Sequence, residues 1–210
     1  MEEIAIIIPS RLAATRLPGK PLKIIDSKEM ILHVCEKARI AELGEVYVAT
    51  PDKEIFELTN KHGFRSFMTG RNHKTGTDRI FEVFEKKLNK KPNIIVNLQG
   101  DMPNIDPQAI KRLIKIMTEQ KSEMATLASL LKKNELEDKN IVKVLTDKNI
   151  ENFNFSLAKD FFREREQNSF KNIYHHVGIY AFTNQALLRY VNLKRTELEL
   201  ERNLEQMRAL

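Results

Sequence analysis

A chain of 210 residues is long enough for one substantial domain, or for one domain with a small lobe. At 41% hydrophobic and 30% charged it has the composition of an ordinary globular protein. No apolar run reaches the length of a membrane span, and MEEIAIIIPSR carries acid where a secretion signal needs basic residues, so a cytoplasmic protein with no membrane partner is expected. The net charge of +6 comes from 35 basic and 29 acidic residues mixed along the chain, and there is no tryptophan to serve as a stacking platform. That pattern points away from nucleic acid and toward a small polyanionic ligand. The single cysteine, Cys35, excludes an internal disulfide and lies in an apolar helical pattern, as a small buried hydrophobe does.

In chain order, EIAIII is a short and nearly all-apolar run, as expected of a strand covered on both faces. Residues 28–43 place Met30, Ile31, Val34, Ala38 and Leu43 near helical spacing, with Gly44 as the stop. EVYVAT reads as a second buried strand, PDKEIFELTNKHG as an amphipathic helix and FRSFMT as a third strand. TGTDRIFEVFEKKL reads as a helix with Ile80, Phe81, Phe84 and Leu88 on one face and Thr75 or Thr77 near its start. NIIVNLQ is the next strand, and PQAIKRLIKIMTEQ the next helix, with Asp106 before Pro107 as its cap. This alternation predicts a mostly parallel sheet with helices on both faces.

The second half changes character. MATLASLL, IVKVLTD, NFNFSLA and HHVGIYAF are strand-like without a full helix between each pair, which suggests a mixed extension or smaller lobe. KDFFREREQNSFKN reads as a connecting loop, and residues 184–191 and 196–208 as helices.

Three segments carry chemistry. The first, IIIPSRLAATRLPGKPL, places Arg11, Arg16 and Lys20 directly after a buried strand, where open parallel sheets bind their ligands. Arginines fork onto phosphate oxygens and a lysine acts as a compact point charge, so the loop suits a triphosphate. The alternative is a solvated basic loop. No GxxxxGK[ST] or GxGxxG motif is present. The second segment, NIIVNLQGDMPNID, ends a strand in Gln99, Gly100 and Asp101. A carboxylate facing a nucleotide is repulsive unless a metal lies between, and Mg²⁺ takes one or two carboxylates with phosphate and water oxygens. Asp101 is therefore a candidate Mg²⁺ ligand, and Gln99 a candidate hydrogen-bonder to a base or sugar. The third, TGRNHKTGTDR, surrounds a helix start with small and basic residues; an anion or base carbonyl at the helix N-terminus and simple capping both account for it.

In this order, and together with VATPDKEI, HVGIYAF and LEQMRAL, these segments resemble the nucleotide-sugar cytidylyltransferases, in particular the 3-deoxy-manno-octulosonate (KDO) cytidylyltransferases, the CMP-KDO synthetases of lipopolysaccharide assembly. The resemblance runs from residue 4 to residue 210. It implies a Rossmann-like nucleotide-diphospho-sugar transferase fold with a smaller mixed lobe for sugar binding and dimerisation, a homodimer, and a Mg²⁺-dependent transfer of CMP from CTP to KDO. By position it implies that Arg11, Arg16 and Lys20 hold the phosphates, with Lys20, Asp101 and Arg16 nearest the chemistry. Arg71, Thr75, Gly76 and Thr77 would shape the cytosine and ribose pocket. Asp101 would bind Mg²⁺, and Gln99, His176, Tyr180, Glu205 and Gln206 would lie around the sugar.

Two departures from the family pattern bear on this. The family continues past LEQMRAL into a segment with a further metal-binding acid, so residues 1–210 are expected to form a single cytidylyltransferase domain lacking that segment. NFSLAKDFF stands where the family reads like YFSRAxIP, so Leu157 replaces an arginine, with Lys159 nearby. The alternatives to KDO transfer are therefore a modified KDO or other acidic sugar as acceptor, or an inactive nucleotide-binding homologue.

Overall fold

Ile6, Ile7 and Ile8 have no exposed surface, because the strand they form is paired on both edges and covered on both faces. The computed structural model describes residues 3–13, 17–164 and 171–210. The chain divides into two units, Met1–Ala125 with Ile179–Val191 and Thr126–Gly178 with Asn192–Leu210.

The first unit opens with β1 (Ile4–Pro9), a two-residue hairpin of β2 (Ile24–Ile25) and β3 (Lys28–Glu29), and α1 (Met30–Ile40). It continues with β4 (Glu45–Thr50), α2 (Lys53–Lys61), β5 (Arg65–Met68), α3 (Gly76–Lys86), β6 (Ile94–Asn97) and α4 (Pro107–Glu119). β7 (Met124–Ser129) leads into the second unit, which holds β8 (Lys143–Thr146), α5 (Ile150–Phe153) and β9 (Ala158–Phe162). β10 (Ile173–Thr183) returns to the first unit, where α6 (Asn184–Asn192) follows, and α7 (Glu197–Arg202) lies in the second.

Strands β5, β4, β1 and β6 are parallel in that order, and Tyr180–Thr183 of β10 adds antiparallel to β6. Alternation of side chains along the strands sorts the core into two layers. Ala5, Ile7, Tyr47, Ala49 and Ile95 pack with Ile80, Val83 and Phe84 of α3 and with Leu187 and Tyr190 of α6. Ile6, Ile8, Val48 and Val96 take the opposite face, where α1 lies against β4 and α4 against α1. Each fully buried isoleucine contributes about 1.5–3 kcal/mol. The expected parallel sheet with helices on both faces is what the first unit forms.

The helix ends follow local rules. Thr75 accepts from the Asp78 N–H and Asp78 accepts from the Thr75 N–H, both at 3.1 Å, closing a capping box at the start of α3. Lys91 Nζ donates to the carbonyls of Phe84, Glu85 and Leu88, which satisfies the far end of the same helix. Asp106 caps α4 as expected, accepting from the Gln108 N–H at 2.9 Å.

Gly44 is not the helix stop. α1 ends at Ile40 and Glu42 turns the chain with φ 49°, which leaves Leu43 outside the helix. Gly44 is instead demanded by close approach, since a Cβ there would sit 2.0 Å from the Ile4 carbonyl oxygen.

In the second unit β8 pairs with β9 on one side and with Ile173–His175 of β10 on the other, all antiparallel. Val144, Phe161, Tyr174, Leu204 and Met207 form its core. NFNFSLA is not a strand: Asn149 caps the short helix α5, accepting from Glu151 and Asn152, and Asn154 ends it with φ 55°. The strand begins at Ala158 and runs into the segment expected to be loop, because Phe161 and Phe162 are the residues that bury. Residues 165–170 of that segment lie outside the described residues. The helix expected over 196–208 is broken at Asn203, φ 52°, into α7 and a 3-10 turn, Glu205–Ala209.

Buried ionic groups of the second unit escaped the sequence reading. Lys143 is fully buried and donates to the carbonyls of Asp138 and Arg163 at 2.6 and 2.9 Å. Glu199, also fully buried, receives Arg208 Nε and Nη2 at 2.8 and 2.6 Å and Arg195 Nε at 2.8 Å. Burial alone would raise the Glu199 pKa, but the hydrogen bonds from Arg208 and Arg195 outweigh it and hold the carboxyl below its ordinary value. Arg208→Ala, which removes the two-pronged partner of that carboxylate and leaves it Arg195, is expected to cost about 3 kcal/mol in urea unfolding. Because the folded pKa lies below the unfolded one, the pair's stabilisation is complete above the ordinary carboxylate range. It is lost as pH falls through the lower folded value, so the gap between wild type and variant should close in acid.

Candidate active site

The basic loop after β1 is held at both ends. Ser10 continues the ladder to the Ala49 carbonyl at 3.0 Å, and the Gly19 N–H reaches the Leu12 carbonyl at 3.0 Å. Gly19 takes φ 68° and delivers Lys20 into a 3-10 turn with Pro21 and Leu22. The turn Gln99, Gly100 and Asp101 follows β6, beside β1. Gly100 lets these two strand ends meet: a Cβ there would lie 2.8 Å from the Pro9 carbonyl oxygen and 3.2 Å from Ser10 Cβ. The N-terminus of α3 completes the arrangement. One pocket in the first unit is lined by Ser10, Arg11 and Lys20 from the first segment, Gln99, Gly100 and Asp101 from the second, and His73, Lys74, Thr75, Gly76 and Arg79 from the third.

The structure thus brings Arg11, Lys20, Thr75, Gly76, Gln99 and Asp101 together around one pocket. Lys20 Nζ lies 2.9 Å from Asp101 Oδ2 across the pocket wall, with both side chains partly exposed. Gln99 Nε2 donates to Asn97 Oδ1 at 3.0 Å, and Asn97 Nδ2 donates to Thr77 Oγ1 at 3.0 Å. Thr77 is buried and lies behind the pocket lining. Arg71 is largely exposed and reaches Asp52 Oδ1 at 3.3 Å. Arg16 falls outside the described residues.

His73, Lys74 and Arg79 were not singled out from the sequence. Arg79 is buried, donating to Thr69 Oγ1 and the Gly70 carbonyl at 2.5 and 2.9 Å. Burial chiefly, and the Arg11 charge next, pull its pKa below the ordinary arginine value, while Asp52 and Glu82 push it back. An arginine remains charged under such a shift. His73 Nε2 lies 2.5 Å from Glu82 Oε2, which also accepts the Gly70 N–H at 2.9 Å. Burial would raise the Glu82 pKa, but the bonds from His73 and Gly70 outweigh it and hold the group ionised to lower pH. The available signal was Arg79 itself, a cation one turn into an amphipathic helix on the side of Ile80 and Val83.

The residues assigned to the sugar are divided between the units. Tyr180 sits in the core of the first unit, paired with Asn97 across the β6–β10 ladder. His176, Glu205 and Gln206 belong to the second unit. The side chains of His175 and His176 part company as expected of neighbours on a strand. His175 faces Glu135 at 3.4 Å, while His176 is buried, 3.0 Å from Thr126 Oγ1 and edge-on to Phe161. Gln206 is buried, and Glu205 begins the 3-10 turn. Leu157 is exposed, and Lys159 pairs with Asp147 at 2.6 Å. Cys35 is fully buried, and burial drives its thiol pKa up, which leaves no nucleophile there.

A cation-lined pocket beyond the carboxyl ends of β1 and β6 is the arrangement of a nucleotide-binding α/β protein. The comparisons give the family. The model of the cytidylyltransferases matches residues 5–210, and the chain belongs to that family. The 3-deoxy-manno-octulosonate cytidylyltransferase of Brucella ovis is 38% identical over 97% of this chain and 82% of its own length. That of Rhizobium etli is 36% identical over the whole of this chain and 84% of its own. The solved structure of CMP:2-keto-3-deoxy-manno-octonic acid synthetase complexed with CTP superposes with a TM-score of 0.86 at 35% identity, over 98% of this chain and 84% of that one. The expected fold class stands, and the chain is a nucleotidyltransferase.

Burial first, and the neighbouring His175 second, depress the His176 pKa from 6.5 to about 3. As pH falls below 6.5 the unfolded chain takes up a proton that the folded chain refuses, so stability declines from there down to about pH 3. Between pH 7.5 and pH 5 this amounts to about 2 kcal/mol. Urea unfolding at both pH values should show that loss in wild type, and a loss smaller by about that amount in His176→Gln.

Proposed function

We propose that the protein transfers CMP from CTP to KDO, giving CMP-KDO and pyrophosphate, as a cytoplasmic and homodimeric enzyme of lipopolysaccharide synthesis. The observation that carries this reading is the pocket of Arg11, Lys20 and Arg79, set in a fold that superposes on a synthetase complexed with CTP. The cytoplasmic location and the dimer rest on the resemblance; no helix among the described residues is long and apolar enough to cross a membrane.

The triphosphate enters against Arg11 and Lys20. Their charge holds the phosphates in place and offsets the negative charge that gathers on the leaving pyrophosphate. Thr75, Gly76 and the backbone at the start of α3 receive the nucleoside, with Gln99 beside it. The sugar's anomeric hydroxyl oxygen attacks the α-phosphorus in line; the new P–O bond forms as the bond to pyrophosphate breaks, and the hydroxyl proton is released. Positioning and charge neutralisation supply most of the acceleration in such transfers, and no protein nucleophile takes part.

The residues present fit Mg²⁺. Asp101 offers a partly exposed carboxylate on the pocket wall, and one carboxylate with phosphate oxygens and water is a donor set that Mg²⁺ accepts. Among the described residues no group of three or more His, Cys, Asp or Glu gathers into an all-protein site, so the nucleotide's phosphates would complete the coordination. When bound, the ion supplies further neutralisation of the triphosphate. A modified KDO is the second reading of the acceptor. It is favoured by the exposed Leu157, where the family carries an arginine, and by the engagement of Lys159 with Asp147.

Purified protein given CTP, KDO and Mg²⁺ is expected to release pyrophosphate above a control without sugar. Asp101→Asn is expected to abolish that release with an unchanged circular dichroism spectrum, and Lys20→Ala to lower kcat/KM for CTP about 100-fold. A folded Asp101→Asn protein that still turns over with Mg²⁺ would remove Asp101 from the metal role.

A further inference from the structure

Asp52 stands at the residue that starts α2, where an aspartate ordinarily accepts from the backbone of its own helix. Its side chain makes no such bond. It is buried, and its Oδ2 accepts the Leu12 N–H at 2.7 Å while its Oδ1 receives Arg71 Nη1 at 3.3 Å. Its own N–H donates to Thr50 Oγ1 at 3.1 Å, which fixes the turn out of β4. Leu12 follows Arg11 in the loop after β1, and Arg71 lies in the loop that leads to α3. One carboxylate therefore grips both basic loops whose other residues line the pocket. It is also within electrostatic reach of Arg79, as Arg11 is, with opposite effect.

We infer that Asp52 is a positioning residue for the nucleotide, tying the backbone beside Arg11 to the Arg71 loop and offsetting the mutual repulsion of Arg11, Arg71 and Arg79. The inference rests on the reading of this pocket as the CTP site. Arg71 is 74% exposed, so its ion pair with Asp52 is weak, and the shorter, partly buried bond to the Leu12 N–H carries most of the effect. Loops fixed in the binding geometry before the ligand arrives spare the ordering cost at binding, and removing the tie weakens CTP without touching the acceptor.

The test compares wild type, Asp52→Asn and Asp52→Ala in the whole chain, reading KM for CTP, KM for KDO and hydrogen exchange at the Leu12 amide. Asparagine can still accept from Leu12 but lacks the charge. Asp52→Ala is expected to raise KM for CTP about tenfold or more, leave KM for KDO within about twofold and speed Leu12 exchange; Asp52→Asn is expected to raise KM for CTP about threefold. A folded Asp52→Ala protein with the wild-type KM for CTP overturns the inference, as does an equal rise in both KM values. Should Asp52→Ala fail to fold, Asp52→Asn decides: a rise confined to CTP supports the role, and an unchanged KM overturns it. Calorimetry of wild type with CTP keeps the two readings apart. Absence of binding there sinks the CTP pocket itself, while Leu12 exchange in the variants still reports whether Asp52 holds the loop.

Discussion

The pocket depends on β1 being paired along both edges and covered on both faces. A strand so enclosed has no freedom of register, because a slip of one residue would turn Ala5 and Ile7 away from α3 and bring Ile6 and Ile8 there, undoing the packing of both covered faces. Its carboxyl end is fixed with it. Pro9 and Ser10 then stand beside Gly100, and the basic loop must leave the sheet at that point. The site inherits its geometry from apolar burial, which requires no polar group to hold the strand in place. The polar residues are left available for the ligand and for one another.

That second role is extensive. Before any nucleotide arrives, three of the cations around the pocket already have local acceptors: Lys20 has Asp101, Arg71 has Asp52, and Arg79 has Thr69 and the Gly70 carbonyl. Glu82 holds His73 and the Gly70 N–H together. Concentrated positive charge destabilises a fold by self-repulsion, and these acids and carbonyls moderate it. Asp101 and Lys20 are partly exposed, so their pairing contributes little stability and is readily exchanged for contacts to a ligand. Arg79 and Asp52 are buried, and their bonds are part of the framework.

The first unit was legible in the sequence because its strands are all-apolar and its helices amphipathic, so that periodicity, caps and alternation agree. The pocket was legible for a related reason. Cations directly after a buried strand, and a carboxylate directly after another, lie at one edge of a parallel sheet whatever the details. The second unit was harder. NFNFSLA alternates like a strand, but Asn149 and Asn154 use their side chains and a left-handed turn to make α5 instead. The strand is displaced to where Phe161 and Phe162 can be buried. Lys143, Glu199 and Arg208 were not singled out, because what licenses burial of an ion is the placing of its partners, backbone carbonyls for Lys143 and two arginines on either side of a chain turn for Glu199, which no periodicity reports. Arg79 and Asp52 were missed for the same reason, having read as part of a helix face and as a helix start.

Gly44 shows how far backbone geometry constrains a position that solvent reaches. Its residue is exposed, and an inventory of mutable sites ranked by accessibility would count it as free. Yet the space where its side chain would begin is filled by the Ile4 carbonyl oxygen at the entrance to β1. A larger residue there would push on the first residue of the central strand, and through it on the ladder to β4. Attachment chemistry, tags or surface redesign at this corner would therefore act on the sheet, although nothing about the corner's exposure warns of it.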